Sequence, residues 1–209
     1  GQGAVAGIQL AHAGRKASVD TPWKGNRFLS LEEGGWQNVA PSAVSFKSEN
    51  PPPHELTKDE IRKVAADFRQ AAIRAVACGF KVVEIHAAHG YLLNEFLSPA
   101  SNFRNDEYGG SFEKRLRLLL EVIEEIKSVW PQGNPIFLRI SASEWSDNGW
   151  TIDDSVKLAN VVKVKGIDLI DCSSGGNVYH AKVVTGALYQ VRFSEKVKSE
   201  SGILTGAVG

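Results

Sequence analysis

Two histidines and a tyrosine lie close together in the segment Ile85-His86-Ala87-Ala88-His89-Gly90-Tyr91. An apolar run precedes them and predicts a buried β-strand that ends at the first histidine. Side chains that follow a strand end can point into one pocket, where two imidazoles could donate hydrogen bonds to a carbonyl oxygen. The phenol of Tyr91 could then donate a proton. Taken singly, His86 or His89 could instead be a core residue bonded to a backbone carbonyl.

Two further polar side chains, Gln9 and Arg139, come near the ends of other apolar runs. A buried guanidinium needs a partner, because an isolated charge in an apolar interior costs many kcal/mol. One alternative is an internal salt bridge between Arg139 and Glu84. The other is a bound polar ring or anion, and the convergence of Gln9, His86 and Arg139 at one end of a sheet favours it.

A metal site is a weaker alternative. The two histidines would need a third ligand, from His12 or Glu84, and the chain would then be a metal-dependent barrel hydrolase. The sequence contains no His-Glu-x-x-His spacing, which counts against a zinc site of that kind. The glycines of the segment 1–7 do not indicate a dinucleotide-binding loop, because they precede a strand and lack the G-x-G-x-x-G spacing.

Strands and helices alternate along the chain and must position these side chains. Short apolar runs predict strands over residues 4–10, 80–86, 135–141, 167–172 and 203–208. Helical spacing predicts helices that begin at Thr57 with a capping box, cover 112–130, run from Thr151 to about Lys165, and cover 193–200. Three of these helices end at a glycine that can take the left-handed conformation: Gly79, Gly166 and Gly202. Such alternation predicts a parallel sheet with right-handed crossovers.

The segments that follow the strands are much longer than those that follow the helices. Residues 11–56, 87–110, 142–150 and 173–192 connect strands to helices, and long irregular segments are uncommon unless they have a function. All of them emerge at the carboxyl ends of the strands, where α/β barrels and doubly wound sheets carry their sites. We therefore expect the chemistry at that end.

Composition excludes several classes of function. The 24 basic and 24 acidic residues give a net charge of zero, so there is no basic excess for binding nucleic acid. No apolar run approaches the ~20 residues of a membrane helix, and we expect no membrane partner. The two cysteines, Cys78 and Cys172, are expected to be buried free thiols, as in a cytoplasmic protein.

Several long motifs resemble those of the old yellow enzyme family, whose members are FMN-dependent ene-reductases on a (β/α)₈ barrel. They are Gly7-Ile8-Gln9-Leu10-Ala11-His12-Ala13-Gly14-Arg15, the run 86–93 with Glu95-Phe96-Leu97-Ser98-Pro99, Asn102-Phe103-Arg104-Asn105-Asp106-Glu107-Tyr108-Gly109-Gly110-Ser111, and Leu138-Arg139-Ile140-Ser141. The resemblance implies that residues 1–209 are one partial FMN-binding barrel domain, truncated at both ends. It would hold about five of the eight strands, the third to the seventh. The pair His86 and His89 resembles the branch with thermophilic-type bacterial and fungal members.

The resemblance also implies a role for each candidate residue. Gln9 would bind the pyrimidine edge of the flavin, and Arg139 would lie near its N1 and O2. His86 and His89 would bind the carbonyl oxygen of a small enone or quinone. Tyr91 would protonate the α-carbon as flavin N5 delivers hydride to the β-carbon. NADPH or NADH would reduce the flavin, and a homo-oligomer would be in keeping with the family.

The partial barrel leads to two further expectations. An unclosed barrel exposes two sheet edges and apolar faces, so the 209 residues alone should be poorly soluble and bind FMN weakly or not at all. A catalytically inactive remnant of such an enzyme is therefore an alternative to an active reductase. The complete set of candidate site residues argues against it.

Overall fold

The computed structural model describes residues 2–208, so Gly1 and Gly209, the ends of the predicted domain 1–209, lie outside the described residues. The strands are β1 Gly7–Leu10, β2 Val39–Ala40, β3 His54–Glu55, β4 Val82–Ala87, β5 Ile136–Ser141, β6 Leu169–Ser173 and β7 Leu204–Ala207. The α-helices are α1 Lys58–Ala77, α2 Leu92–Leu97, α3 Phe112–Lys127, α4 Ile152–Val164 and α5 Val191–Ser201. Three single turns of 3₁₀-helix, at Gly14–Lys16, Pro22–Lys24 and Leu31–Glu33, lie in the long segment between β1 and α1.

The main sheet has five parallel strands in the order β1-β4-β5-β6-β7. Each strand therefore pairs with the next one along the chain, apart from the short parallel pair β2 and β3, which forms a separate sheet. A doubly wound sheet would reverse its strand order at a switch point, and this sheet does not. The arrangement is that of a partial (β/α) barrel, as the sequence predicts.

The helices cover one face of this sheet. α1 contacts β1 and α3, and α5 contacts β6, β7 and α4. Alternate strand residues point into this layer and are fully buried, as are the apolar positions of the helices. Examples are Val83, Ile85, Leu138, Ile170 and Cys172 from the strands. The hydrophobic core of the described residues therefore lies between the sheet and its helices.

The opposite, concave face of the sheet carries polar residues and is less buried. Gln9 is exposed, Glu84, Arg139 and Asp171 are partly buried, and Leu204 is 61% exposed. Along the described chain β1 and β7 each pair with a strand on one side only. These open edges and the uncovered face are the features on which the prediction of poor solubility rests.

The predicted elements are present, with some ends displaced. The strand predicted from residue 4 begins at Gly7, because β4 begins at Val82 and pairs with β1 only from that level. The helix predicted to reach residue 130 ends at Lys127, and Trp130 is buried in the turn that follows. The glycines predicted to end helices, Gly79, Gly166 and Gly202, have φ values of 86°, 96° and 67°. The predicted left-handed helix ends are therefore confirmed.

One expectation about the cysteines is wrong. Cys172 is buried in β6, but Cys78 is exposed, because it lies at the end of α1 beyond Ala75, the last buried residue of that helix. Between residues 2 and 208, no helix is both long enough and apolar enough to cross a membrane.

Candidate active site

A tight turn at the carboxyl end of β4 carries the two histidines and the tyrosine. The amide of Tyr91 donates to the carbonyl of Ala88 at 3.1 Å and closes the turn. The two central residues, His89 and Gly90, have φ values of 60° and 71°, a geometry that glycine adopts easily and histidine rarely. The turn therefore brings the side chains of His86, His89 and Tyr91 to one place.

The His86 ring contacts the rings of both Tyr91 and His89. The centroid of the His86 ring lies 5.1 Å from that of Tyr91, edge to face, and 5.2 Å from that of His89. His86 is buried, and its Nδ1 has no hydrogen-bond partner within the described part of the chain. A buried polar atom without a partner is uncommon in a native protein and suits a group that receives a ligand.

Serines at the ends of the next two strands hold His89. The backbone amide of His89 donates to Oγ of Ser141, the last residue of β5, at 2.8 Å. The ring Nε2 lies 2.8 Å from Oγ of Ser173, the last residue of β6. The backbone and the ring of His89 are therefore each fixed by a different strand.

Lys16 lies beside the turn that carries His89 and Tyr91. Its ammonium group donates to the carbonyls of His89 at 2.8 Å and Gly176 at 2.9 Å, and it lies 4.4 Å from the centroid of the Phe46 ring. It is also 5.9 Å from the centroid of the Tyr91 ring. Burial, together with the neighbouring charge of Arg15, lowers the pKa of Lys16 to about 8.

The electrostatic surroundings keep both histidines neutral at pH 7. Burial lowers the pKa of His86 to about 4, and the neighbouring His89, Arg139 and Lys16 add to this effect. Burial and the charges of Arg139 and Lys16 lower the pKa of His89 to about 4 as well. A neutral imidazole has one N–H donor and one acceptor nitrogen, so each ring can offer a single hydrogen bond to an acceptor.

Arg139 lies next to His86 and forms no salt bridge with any of the described residues. The two residues are partners in the pairing of β4 with β5, so they lie at the same level of the concave face. None of the salt bridges within residues 2–208 involves Arg139, and its buried Nε has no hydrogen-bond partner. The alternative of an Arg139–Glu84 salt bridge is therefore wrong.

Glu84 forms a hydrogen bond with Gln9 instead of a salt bridge with Arg139. Gln9 and Glu84 are partners in the pairing of β1 with β4, and the amide of Gln9 donates to the Glu84 carboxylate. Burial raises the pKa of Glu84, and the nearby carboxylate of Asp171 adds to this rise. Gln9 and Glu84 lie two residues closer to the strand beginnings than the level of His86 and Arg139.

The side chains of the concave face fit a flat heterocycle with both acceptor and donor atoms. Arg139 offers an unpaired guanidinium, and the amide oxygen of Gln9 remains available because its nitrogen makes the bond to Glu84. A guanidinium and an amide on one face of the sheet, separated by β4, suit the polar edge of a ring system that carries carbonyl oxygens and an N–H, as the isoalloxazine of FMN does. The residues predicted to contact the flavin are thus consistent with that cofactor.

A buried carboxylate, Glu144, supports the loops around the site. Its oxygens accept four hydrogen bonds: from Asn94 Nδ2 at 3.3 Å, Asn177 Nδ2 at 2.8 Å, Ser98 Oγ at 2.6 Å and the Trp150 amide at 2.8 Å. Asn94 lies in α2 and Ser98 directly follows it, Asn177 lies in the segment after β6, and Trp150 lies in the segment after β5. Glu144 thereby joins three of the long strand-to-helix connections.

His12 does not join the other two histidines. Its Nδ1 accepts the amide of Gly14 at 3.0 Å, and its side chain lines a groove that it shares with Asp67 of α1. Among residues 2–208, no three histidine, cysteine, aspartate or glutamate side chains are grouped so that they could hold a metal ion. The three-histidine ligand set of the hydrolase alternative is therefore not assembled.

Sequence reasoning did not find Lys16, Ser173 or Glu144. Each of them contacts a partner that is far away in the sequence. Lys16 and His89 are 73 positions apart, and His89 and Ser173 are 84 positions apart. The one available signal was the position of Ser173, at the end of a predicted strand.

Comparison with known proteins decides the family. The profile described as the NADH:flavin oxidoreductase / NADH oxidase family matches residues 1–209. The chain belongs to this family. The description of this family agrees with the predicted class of enzyme and with the predicted flavin and nicotinamide reductant.

Members of the NADH:flavin oxidoreductase family with similar sequences include an NADPH dehydrogenase of Bacillus subtilis. It is 48% identical to this chain, and the match covers 100% of the chain and 56% of that protein. An NADH:flavin oxidoreductase of Gibberella zeae is 46% identical, over 97% of this chain and 54% of that protein. The chain thus spans about half the length of these relatives.

A solved structure of the family has the same fold. The old yellow enzyme homologue of Zymomonas mobilis superimposes with a TM-score of 0.75 at 26% identity, over 99% of this chain and 57% of that one. The predicted membership of an old yellow enzyme-type family and the partial barrel are both confirmed.

Proposed function

We propose that this chain forms the part of an FMN-dependent reductase that binds the carbonyl group of an α,β-unsaturated substrate. The reaction would be the reduction of a small enone or quinone at the β-carbon by NADPH or NADH, with bound FMN supplying the hydride chemistry. The observation that carries the proposal is the turn after β4, which gathers two neutral imidazoles and a phenol beside the unpaired guanidinium of Arg139. Such donors suit a substrate oxygen that gains negative charge.

His86 and His89 would bind the carbonyl oxygen. Hydride addition to the alkene develops negative charge on that oxygen, and donors fixed beforehand stabilise it by several kcal/mol. The lowered pKa of both rings means that each offers one N–H without being charged.

Tyr91 would supply the proton. Its ring stands edge to face with His86, so its hydroxyl is carried by the same turn as the proposed carbonyl site. The proton would pass from the Tyr91 hydroxyl to the α-carbon, and solvent would then reprotonate the phenolate. Lys16, above the Tyr91 ring, would stabilise the phenolate by its charge.

Gln9 and Arg139 would hold the flavin. FMN, when bound, supplies the hydride acceptor and donor of the reaction. The guanidinium of Arg139 would face the polar edge of the ring system and favour negative charge there. The amide of Gln9, fixed by its bond to Glu84, would bind the pyrimidine edge.

The pair His86 and His89 also supports placement in the branch with thermophilic-type bacterial and fungal members. Relatives from a Bacillus and from the fungus Gibberella zeae, at 48% and 46% identity, are in keeping with that placement. A cytoplasmic location and a homo-oligomeric state stay predictions from the sequence.

The test separates the two half-reactions in the protein made from the complete reading frame. Anaerobic mixing with NADPH measures flavin reduction, and mixing the reduced protein with 2-cyclohexenone measures reoxidation. Tyr91→Phe is expected to slow reoxidation by about 10²- to 10⁴-fold and to leave reduction by NADPH unchanged, because the phenol acts only as a proton donor. Tyr189→Phe, a tyrosine outside the pocket, serves as the matched control.

Equal reoxidation rates in the wild type and in Tyr91→Phe would contradict the proposed role of Tyr91. A complete protein that purifies colourless and gains no flavin spectrum with added FMN would contradict the whole proposal and favour the inactive remnant. Stoichiometric zinc in that protein would instead favour the hydrolase.

A further inference from the structure

The two histidines of the proposed carbonyl site differ in how they are held. The buried Nδ1 of His86 has no partner in the described structure. His89 has one ring nitrogen, Nε2, at 2.8 Å from the hydroxyl oxygen of Ser173. Only the other ring nitrogen of His89, Nδ1, remains to reach a ligand.

The backbone of His89 cannot easily move to release this contact. Its amide donates to Ser141 Oγ at 2.8 Å, its carbonyl accepts from Lys16 Nζ at 2.8 Å, and its φ of 60° is uncommon for a residue with a side chain. Ser173 is itself 6% exposed at the end of a paired strand. Both partners of the His89–Ser173 contact therefore lie on rigid supports.

The chemistry of a neutral imidazole gives this contact a consequence. One ring nitrogen carries the proton and the other accepts, and the hydrogen bond made by one nitrogen decides which form is present. If the Ser173 hydroxyl donates to Nε2, the proton must be on Nδ1. A carbonyl oxygen can only accept, so it binds His89 only when Nδ1 carries the proton.

We propose that Ser173 is a positioning residue that orients the His89 ring and holds its proton on Nδ1, directed at the carbonyl oxygen of the substrate. The direction towards substrate rests on the proposed function. Free imidazole side chains favour the proton on Nε2, so Ser173 selects the form that is less populated in solution. His86 has no such partner, and its tautomer is set by the ligand itself.

The decisive measurement is nitrogen-15 NMR of the histidine rings in the full-length, flavin-loaded protein, with His89 assigned by the variant His89→Gln. We expect the shift pattern of a proton on Nδ1 in the wild type. Ser173→Ala should lose that pattern, whereas Ser173→Thr keeps a hydroxyl and should retain it. Ser199→Ala, which removes an exposed serine hydroxyl on α5, is the matched control.

Ligand binding gives a second readout. Cyclohexanone, a saturated ketone that cannot accept hydride at a β-carbon, is titrated against the oxidised protein and followed by the flavin spectrum. Loss of one hydrogen-bonded orientation predicts about 5- to 10-fold weaker binding in Ser173→Ala, with Ser173→Thr and Ser199→Ala near the wild type. Steady-state rates should show the loss mainly in KM.

A wild-type proton on Nε2, or an unchanged ring pattern in Ser173→Ala, would overturn the inference even if enone reduction is normal. The proposed function fails by a different result, the absence of ketone binding and of enone reduction in the wild type. The ring spectrum is recorded without substrate, so the two failures are distinguished.

Discussion

Two active-site loops pack tightly against each other at Gly176, and replacing this glycine tests how the site is built. A Cβ at Gly176 would lie 2.6 Å from the Cα of His89 and 2.8 Å from its carbonyl carbon. Reciprocally, a Cβ at Gly90 would lie 2.4 Å from the carbonyl oxygen of Gly176. The turn after β4 and the segment after β6 therefore pack backbone against backbone, at the residue proposed to bind substrate.

The expected cost of Gly176→Ala has two parts. Its φ of 92° is a conformation that L side chains avoid, which costs about 1–2 kcal/mol. The overlap with the His89 backbone forces a shift that costs about 1–3 kcal/mol more. The alanine also restricts the unfolded chain, which returns about 0.4–1 kcal/mol. We expect Gly176→Ala to lower the free energy of unfolding by about 1–5 kcal/mol.

A glycine with nearly the same backbone supplies the control. Gly133 has a φ of 87°, and a Cβ there would meet no atom within 4 Å. Gly133→Ala should therefore show only the conformational cost. Urea unfolding of the complete protein, followed by tryptophan fluorescence, gives the free energy of unfolding of each variant. Cyclohexanone titration should show weaker binding in Gly176→Ala alone, because only that variant displaces His89.

Equal losses of stability in the two variants would refute the reasoning. They would mean that the segment after β6 does not press on His89 and that the left-handed conformation accounts for the whole effect. Normal ketone binding in Gly176→Ala, together with a larger loss of stability, would show that the contact stabilises the fold without positioning His89.

Two further predictions concern buried ionisable groups. Glu144→Gln replaces one acceptor oxygen by a donor and leaves buried donors unpaired, so we expect a loss of about 2–5 kcal/mol in urea unfolding. Glu124→Gln on the exposed face of α3 should cost little, and similar losses in the two variants would contradict this role of Glu144. The pKa of His86 and of His89 is lowered from 6.5 to about 4 in the folded protein. Because the unfolded chain binds more protons between these two values, the contribution of the two rings to stability is complete above pH 6.5 and is lost as the pH falls towards 4. The unfolding midpoint of the His86→Gln/His89→Gln double variant should fall less over that range, and parallel curves would argue against buried neutral rings.

The sequence predicted those parts of the fold that repeat a local pattern. The strands of the main sheet and the long helices follow from apolar spacing, and the glycine ends of helices follow from one residue type. The helix α2 was missed because its six residues are all buried and no side chain caps its first turn. The pair β2 and β3 was missed because two residues per strand are too few to show alternation.

The sequence predicted the site residues that lie at the ends of strands, but not the contacts made by the loops that follow the strands. Alternation placed His86 and Arg139 on one face, and their level in the sheet agrees. The alternation of residues along each strand does not give the register between β1 and β4. The sequence therefore did not show that Glu84 binds Gln9 and not Arg139. The contact of Ser173 with His89 depends on how two loops turn after their strands, which a single sequence does not encode in a local pattern.

The four bonds to Glu144 limit how this barrel can change its specificity. Loops at the carboxyl ends of barrel strands are often treated as modules that can be exchanged one at a time between relatives. Here one carboxylate binds groups from three of those connections. A transplanted single loop would leave buried donors or a buried charge without a partner. In this protein the three connections, one of which contains Glu144, would have to be exchanged together. Chimaeras whose recombination breakpoints separate these connections should seldom fold.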